Sequence, residues 1–274
     1  MNYYTDLDAR CKRLDITNII SNDIDAWEKN KIDKKIYNKL QLIESQNISC
    51  GPIGTMPDKY PIVIKPIINL YGMSRGFKII TNQEEYLNNQ IDGSFWMPYL
   101  SGKNYTVDII MNKGKILYYY CMESEPLIKG TFRYHVYRPK YKLSNKIISI
   151  LEINHSKYTG PMNIEIINNT IIEGHLRLNG DLYLYDDNFL INLSKMINNL
   201  DFELVVSKNI FYLFPYFINR KFNTDIIDCK DIENILLTNK IKNIRWDNIE
   251  SLYQRNDLSR LLMFKVNTLK LGLE

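Results

Sequence analysis

The chain has 274 residues, of which 45% are hydrophobic and 24% charged, and its formal net charge is +4. This balance is typical of a globular protein with a sizeable core, and the interleaved acids and bases do not indicate nucleic-acid binding. The four cysteines are far apart and show no CxxC spacing, so neither a disulfide framework nor a zinc site is predicted. No leader segment or run of transmembrane length is visible, and we expect a cytoplasmic protein without a membrane partner.

Residue usage is strongly biased. Alanine occurs only at Ala9 and Ala26, whereas isoleucine, asparagine, lysine and tyrosine are abundant. Such a bias fits an A+T-rich genome, for example that of a large DNA virus, in which case the expected compartment is the host cytoplasm. The bias carries no chemistry, and it weakens arguments from the propensities of the many asparagines.

The first part of the chain alternates helical, turn-rich and strand-like segments. Residues 24–46 are charged, free of glycine and periodically apolar, which predicts a helix with Lys39 near its end. A turn-rich connector follows, and YPIVIKP then predicts a short buried strand that ends at Lys65. Residues 68–80 predict a glycine-containing loop that returns into a strand, and Thr81 is predicted to cap the next helix.

The second part begins with strands. GSFWMPYLSG predicts a strand, and NYTVDIIMNKGKILYYYCMESEP predicts a long hairpin about Asn112-Lys113-Gly114. Leu143 to Glu152 predicts a helix, which precedes a second hairpin at residues 160–181. From about residue 182 the pattern alternates helix and strand to the end of the chain, without an internal repeat.

The second hairpin, GPMNIEIINNTIIEGHLRLNGD, carries two carboxylates in apolar, isoleucine-rich runs. A three-residue loop at Asn168-Asn169-Thr170 would place Glu165 opposite Glu173, with their Cβ atoms about 5 Å apart. Like charges at that distance destabilise a sheet unless a cation lies between them. Mg²⁺ is the usual cation, because it prefers carboxylate oxygens and arrives with substrate phosphates.

Two registers are open for this hairpin. In the first, His175 and Arg177 point to the same side as Glu173, by the period of two residues along a strand. Two acids, an imidazole and a guanidinium on one sheet face then indicate a site. A two-residue Asn-Asn turn would also close the hairpin, and a change of register by one residue would move Glu173 to the opposite face from Glu165.

Five separated segments resemble the ATP-grasp superfamily in order, spacing and residue type, over roughly residues 39–181. Lys39, in YNKLQLIESQNISCGPIG, is similar to the family's first nucleotide lysine, and Lys65, in YPIVIKP, to the second lysine of the P-[VI]-[VIL]-K-P strand. INLYGMSRGFKII looks like the flexible glycine loop. SFWMPYLSGKNYTVDIIMNKG looks like the hinge strand that carries the adenine, followed by the step G-x-x-[YF]-[ST]-[VL]-[DE].

The fifth segment is the second hairpin, in which Asn163-Ile-Glu165 and Glu173-x-His175-x-Arg177 are similar to the family's metal-binding acid followed by E-x-N-x-R. The resemblance implies three groups of site residues. The catalytic residues would be Arg177 and Lys65, and the metal would be bound by Glu165, Glu173 and His175. The nucleotide would be bound by Lys39, Lys65, Gly72, Ser74, Gly76, Met97, Tyr99 and Leu100.

For the architecture, the resemblance implies an α+β fold in which two α+β subdomains clamp a nucleotide between antiparallel sheets. Residues 1–38 would be a short stub of the region that precedes the fold. Residues 39–100 would form the small subdomain with the glycine loop, and residues 101–274 the large subdomain with the metal hairpin and a C-terminal extension. The implied cofactors are ATP and Mg²⁺, with Mn²⁺ as the alternative metal.

The chain departs from the family pattern at several positions. His175 stands where the family has asparagine, and an imidazole is a softer ligand than an amide oxygen and tolerates Mn²⁺ or Zn²⁺ better. Met97 stands where many relatives carry an acid that contacts the adenine amino group. The glycine loop contains fewer glycines than usual.

The reaction implied by the resemblance is an ATP-dependent ligation. A small-molecule or peptide carboxylate would attack the γ-phosphate to give an acyl phosphate, and an amine or a thiol would then displace phosphate. Catalysis of this kind depends on positioning and charge neutralisation. Two alternatives are a degenerate ATP-grasp module that binds nucleotide in a regulatory or structural role, and a kinase-like phosphotransfer on the same scaffold.

Overall fold

The structure is a computed structural model. It describes residues 7–71, 76–126, 132–179, 185–205 and 209–219, and, nearer the C-terminus, residues 234–236, 238, 243–246, 254–255 and 258–268. The helices are α1 (Leu7–Arg13), α2 (Asp23–Lys29), α3 (Lys39–Glu44), α4 (Gln83–Leu87), α5 (Asn145–Asn154) and α6 (Asp187–Ile197), and a 3-10 helix spans Asp33–Tyr37. None of the described helices has the length and apolar character needed to cross a membrane.

A four-stranded antiparallel sheet forms first along the chain. Its strands are β1 (Gly51–Pro52), β2 (Ile62–Pro66), β3 (Lys78–Ile80) and β4 (Ser94–Pro98), in the order β1-β4-β2-β3. The prediction of a buried strand that ends near Lys65 is confirmed by β2. Its alternate side chains pack into two small apolar clusters on the two faces of the sheet, one with Ile62 and Ile64 and one with Val63.

The remaining strands form a nine-stranded sheet, whose described pairings are all antiparallel. They are β5 (Asn104–Asn112), β6 (Lys115–Pro126), β7 (Phe132–Tyr137), β8 (Gly160–Ile167), β9 (Thr170–His175), β10 (Tyr212–Asn219), β11 (Asn243–Trp246), β12 (Gln254–Arg255) and β13 (Leu258–Val266). The order is β11-β13-β10-β7-β6-β5-β8-β9, and β12 pairs with β13. The strand β9 therefore lies at one edge.

Two apolar cores cover the two faces of this sheet. On one face, Val107 and Ile109 of β5 pack with Ile147 and Leu151 of α5. On the other face, Ile110 of β5 packs in a core that contains side chains of α1 and α6. Because residues alternate along a strand, Thr106 and Asp108 share the face of Ile110 and lie between that core and the edge of the sheet. This polar stretch of the face carries the candidate site.

The predicted helix over residues 24–46 is wrong, because three shorter helices replace it: α2, the 3-10 helix and α3. Two asparagines divide it. The Asn30 side chain donates to the Ala26 carbonyl (2.8 Å) at the end of α2, and the Asn38 side chain accepts from the Gln41 amide (3.0 Å) at the start of α3. Both compete with the helical backbone for its hydrogen bonds. Lys39 consequently begins a helix, whereas the sequence predicted it near a helix end.

Smaller differences occur at other element ends. The helix α4 is capped by Asn82, one residue later than predicted, because Thr81 instead binds the Glu85 carboxylate through its amide and hydroxyl (2.7 and 2.9 Å). The predicted helix over residues 143–152 is confirmed as α5, two residues later. In the predicted strand over residues 202–218, the described strand begins at Tyr212, and most of the predicted helix at residues 229–240 lies outside the described residues.

The second hairpin combines the two registers left open by the sequence. The turn has two residues, Asn168 and Asn169, both with positive φ (48° and 59°), yet Glu165 still pairs with Glu173. A bulge makes this compatible: Ile166 pairs with Ile171 and Glu165 with Glu173, so Ile172 is the extra residue on β9. The predicted pairing is confirmed, although the predicted three-residue loop is wrong.

Candidate active site

Two polar rows run across β5, β8 and β9 on one face of the sheet. Thr106, Glu165 and Glu173 form the first row, and Asp108, Asn163 and His175 form the second. The bulge at Ile172 is what brings Glu173 and His175 onto this face. Since β9 is an edge strand, the residues of the N-terminal helices reach both rows from the side.

The cation that meets the two glutamates in the structure is an ammonium group. Lys39 Nζ lies 2.7 Å from Glu173 Oε1, and the Lys39 side chain is almost fully buried. Burial acts to raise the pKa of Glu173, but the charges of Lys39, His175 and Lys65 outweigh it and lower that pKa. Burial and the neighbouring Glu173 charge raise the pKa of Glu165. Glu173 is therefore the ionised member of the pair, and Glu165 holds a proton more readily.

Lys65 enters at the bulge. Its ammonium donates to the Ile172 carbonyl (2.9 Å), which the bulge leaves outside the ladder, and lies 5.8 Å from the centre of the Phe95 ring. Burial lowers the pKa of Lys65 to about 8, because the Glu173 and Glu165 charges only partly offset desolvation and the Lys39 charge adds to it. Lys39 and Lys65 thus converge on Glu173 from α3 and β2.

A buried aspartate of α2 holds the second row. Asp23 Oδ1 lies 3.0 Å from His175 Nδ1, and Asp23 Oδ2 accepts from Arg177 at 2.7 Å. The Tyr37 hydroxyl also donates to Asp23 (2.9 Å) and accepts the Leu176 amide (3.1 Å). Burial acts to raise the pKa of Asp23, but its contacts with His175 and Arg177 lower it well below the usual range.

Asp23 and Tyr37 were missed by sequence reasoning, which assigned residues 1–38 to a stub without a role. Asp23 follows the N-cap Asn22 and so resembles any acidic residue in the first turn of a helix. Close packing brings this segment to the site. A Cβ at Gly174, between Glu173 and His175, would lie 2.4 Å from a side-chain carbon of Ile36, so the glycine allows the 3-10 helix to contact β9 directly.

The predicted nucleotide-binding positions are only partly described. Gly72 and Ser74 lie outside the described residues, whereas Gly76 has a φ of +75° that favours glycine. The Met97 side chain is buried in the core with Val63 and Phe95, so only its backbone could face a base. Tyr99 is 45% exposed, and its amide donates to the Pro61 carbonyl (3.0 Å). Leu100 is half-buried beside the same core.

A second buried carboxylate lies two strands away from Glu173. Asp108 accepts from the Asn163 side chain (2.7 Å), the Asn179 amide (3.0 Å) and the Tyr185 hydroxyl, and it has no exposed surface. Burial raises the pKa of Asp108 to about 6, although these hydrogen bonds oppose the shift. This carboxylate is bound by neutral groups only.

The donor set fits a divalent cation that arrives with a nucleotide. Among the described residues, no group of three or more His, Cys, Asp or Glu side chains is arranged to hold a metal ion. Mg²⁺ seldom needs such a cage, because it takes one or two carboxylates together with substrate phosphates and waters. Glu165 and Glu173 supply the two carboxylates, and His175 Nε2 lies 3.7 Å from Glu173 Oε1. The metal-binding role of the three residues stays a prediction.

Solved structures show what this architecture is. The chain superposes on an L-amino acid ligase from Bacillus licheniformis with a TM-score of 0.57 and 9% identity, over 95% of this chain and 72% of that one. It superposes on N5-carboxyaminoimidazole synthetase from Staphylococcus aureus, complexed with ADP, with a TM-score of 0.63 and 13% identity, over 88% and 69% of the two chains. For the biotin carboxylase domain of a Hydrogenobacter thermophilus 2-oxoglutarate carboxylase, complexed with MgADP, the values are 0.56 and 12%, over 88% and 63%.

These three superpositions confirm the predicted α+β class: the chain has the ATP-grasp fold. At 9–13% identity the likeness concerns the fold alone. No family model and no curated protein sequence matches this chain. The predicted limits of its subdomains stay a prediction.

Proposed function

We propose that this protein is an ATP-dependent, Mg²⁺-dependent ligase that joins a small-molecule or peptide carboxylate to an amine or a thiol. The observation that carries the proposal is the meeting of Lys39 and Lys65 with the opposed pair Glu165 and Glu173, within 2.7 Å at the closest contact. Burial of so many charges at one edge costs stability unless a ligand uses them.

In the proposed site, the two lysines bind the triphosphate. Lys39 would exchange Glu173 for phosphate oxygens, which frees the carboxylate for the metal. Lys65 has a pKa of about 8 and is therefore mostly protonated at neutral pH, and a triphosphate would hold it in the charged form. Mg²⁺ bound by Glu165 and Glu173 would neutralise phosphate charge. Gly72, Ser74 and Gly76 would cover the phosphates, and the backbone of Met97 to Leu100 would contact the base.

The proposed chemistry has two steps. A carboxylate oxygen of the substrate attacks the γ-phosphorus, and the bond to the bridging oxygen breaks, so that ADP leaves and an acyl phosphate remains. The amine nitrogen or thiol sulfur then attacks the acyl carbon, inorganic phosphate leaves, and the nucleophile gives up its proton. Arg177, held by Asp23 at 2.7 Å, would face the transferred phosphate and stabilise its developing charge.

The first test is binding. We expect MgADP to raise the thermal unfolding temperature of the wild type by a few degrees, since a ligand at about a hundred times its Kd adds about 2.7 kcal/mol. The effect should require Mg²⁺ and should be absent in Glu165→Gln, which removes one predicted metal ligand without removing the partner of Lys39. A chain that shows no shift with MgADP or MnADP has no nucleotide site of this kind.

The second test is turnover without a known acceptor. Hydroxylamine traps an acyl phosphate as a hydroxamate, so a panel of amino acids, dipeptides and other small carboxylates can be screened with MgATP and hydroxylamine. Carboxylate-dependent release of ADP together with a hydroxamate supports the ligase. Nucleotide binding without either product across the panel would instead favour the degenerate, non-catalytic ATP-grasp module.

A further inference from the structure

Asp23 makes contacts that suit a group whose task is to orient others. It is 5% exposed and contacts three side chains at hydrogen-bond distance: His175, Arg177 and Tyr37. Arg177 and Tyr37 can only donate to it, so both carboxylate oxygens act as acceptors. The same is required at His175, where Nδ1 must carry a proton to bond with Asp23.

The other ring nitrogen of His175 is directed at the first polar row. Among the described residues, Nδ1 is the only nitrogen of this ring with a hydrogen bond, and Nε2 lies 3.7 Å from Glu173 Oε1. The ring is 5% exposed and packs edge-to-face on Tyr37, with 5.8 Å between ring centres, which limits its rotation. A neutral ring with its proton on Nδ1 presents the Nε2 lone pair towards Glu173.

We propose that Asp23 is a positioning residue that makes His175 a nitrogen donor to the divalent cation held by Glu165 and Glu173, so that the site accepts Mn²⁺ at least as well as Mg²⁺. A carboxylate on the distal nitrogen of a metal-binding histidine fixes its tautomer and its orientation. Imidazole nitrogen favours borderline metals over Mg²⁺, which prefers oxygen. This inference rests on the proposed nucleotide site.

The opposing arrangement uses the same residues. A doubly protonated His175 would bridge Asp23 and Glu173 as a cation, and it would have no lone pair to offer. The distances are compatible with both, so the discriminating quantities are the proton positions on the ring and its coupling to a bound metal.

Substitution of Asp23 by asparagine separates the two. Asparagine has one acceptor oxygen, and the guanidinium of Arg177 must keep it because that group only donates. The amide NH₂ then faces His175 Nδ1 and places the ring proton on Nε2. Asp23→Asn should therefore retain the bulk of the cluster while removing the nitrogen donor. Tyr37→Phe is the matched control, since it removes another partner of Asp23 and leaves the Asp23–His175 contact.

The test uses MnADP and pulsed electron paramagnetic resonance. We expect ¹⁴N coupling of an imidazole to Mn²⁺ in the wild type and in Tyr37→Phe, and its loss in His175→Asn and Asp23→Asn. Asp23→Asn should weaken MnADP binding about ten-fold or more, with a smaller change for MgADP. The chain has three histidines, so ¹⁵N spectra of the ligand-free wild type can assign the His175 tautomer even if Asp23→Asn does not fold.

The outcomes are separable. Mn²⁺ that binds with ADP but shows no imidazole coupling in the wild type overturns this inference and leaves the ligase proposal intact. A His175 ring protonated on Nε2 in the ligand-free wild type, or coupling that persists in a folded Asp23→Asn, overturns it in the same way. Absence of any binding of MnADP and MgADP overturns the proposed function, and with it this inference.

Discussion

Two buried acids on one sheet face, Glu173 on β9 and Asp108 on β5, differ in what surrounds them. Glu173 lies 2.7 Å from Lys39 and has a lowered pKa, whereas Asp108 is bound by an amide side chain, a backbone amide and a phenol and has a pKa raised to about 6. Burial acts in the same direction on both, so the sign of the shift is decided by charged partners.

The difference between the two acids indicates which one is built for a ligand. A carboxylate kept ionised by mobile ammonium groups can exchange one cation for another, which a nucleotide with its metal requires. A carboxylate satisfied by fixed neutral donors gains nothing from a metal and serves to hold β5, β8 and the chain at Asn179 together. On this basis Asp108 is structural, although it shares a row with His175.

The largest expected effect concerns Glu173→Gln. It removes the partner of a buried ammonium group, which costs about 3 kcal/mol of unfolding free energy without ligand. It also removes the stabilisation by MgADP. Glu165→Gln should lose the same MgADP effect without destabilising the free protein, because glutamine replaces the acid that already favours its neutral form. Chemical denaturation of both variants with and without MgADP measures this, and equal stabilities of the two free variants would contradict the assignment of charge within the pair.

The second prediction is the pH dependence of Asp108→Asn. The pKa of Asp108 rises from 3.8 to about 6 on folding, so the folded state holds more protons between about pH 4 and pH 6, and wild-type stability is lost as the pH rises through that window. Two pKa units correspond to about 3 kcal/mol. The unfolding free energy of Asp108→Asn minus that of the wild type should therefore increase by about 3 kcal/mol from pH 3.5 to pH 7. A difference that stays flat over this range would mean that Asp108 is ionised throughout.

Much of this site follows from local sequence, and the rest does not. The pairing of Glu165 with Glu173 was predicted because strand periodicity and a short turn are local properties. The bulge that realises it was not predicted, because Ile172 differs from its isoleucine neighbours only in meeting Lys65, a contact across 107 positions of the sequence. The roles of Asp23 and Tyr37 depend on similarly distant contacts.

The fold class was predictable for a related reason. A lysine strand, a glycine loop, a hinge strand and an acidic hairpin each have a local pattern, and their order along the chain carries the architecture. The error over residues 24–46 shows the limit of such patterns: apolar periodicity suited a helix, and the side chains of Asn30 and Asn38 ended it. In a chain rich in asparagine, composition alone does not distinguish a cap from a surface residue.

The smallest expected effect tests how the free edge of β9 is satisfied. The Gln46 side chain accepts from the Ile171 amide and donates to the Ile171 carbonyl, both at 2.8 Å, and so replaces a neighbouring strand at this position. Gln46→Leu would leave both groups buried without partners and should lower the unfolding free energy by about 2 kcal/mol. Gln41→Leu, at an exposed position of the same helix α3, is the matched control and should change it by less than about 0.5 kcal/mol.

Amide exchange locates the effect of Gln46→Leu more finely. The Ile171 amide should lose protection in this variant, while amides of β5, in the middle of the sheet, keep theirs after correction for global stability. Since Ile171 precedes the bulge that receives Lys65, loosening at this edge should also weaken the MgADP-dependent stabilisation. Full protection of Ile171 in Gln46→Leu would show that the strand edge does not depend on this side chain, and that α3 is held to β9 by Lys39 and apolar packing instead.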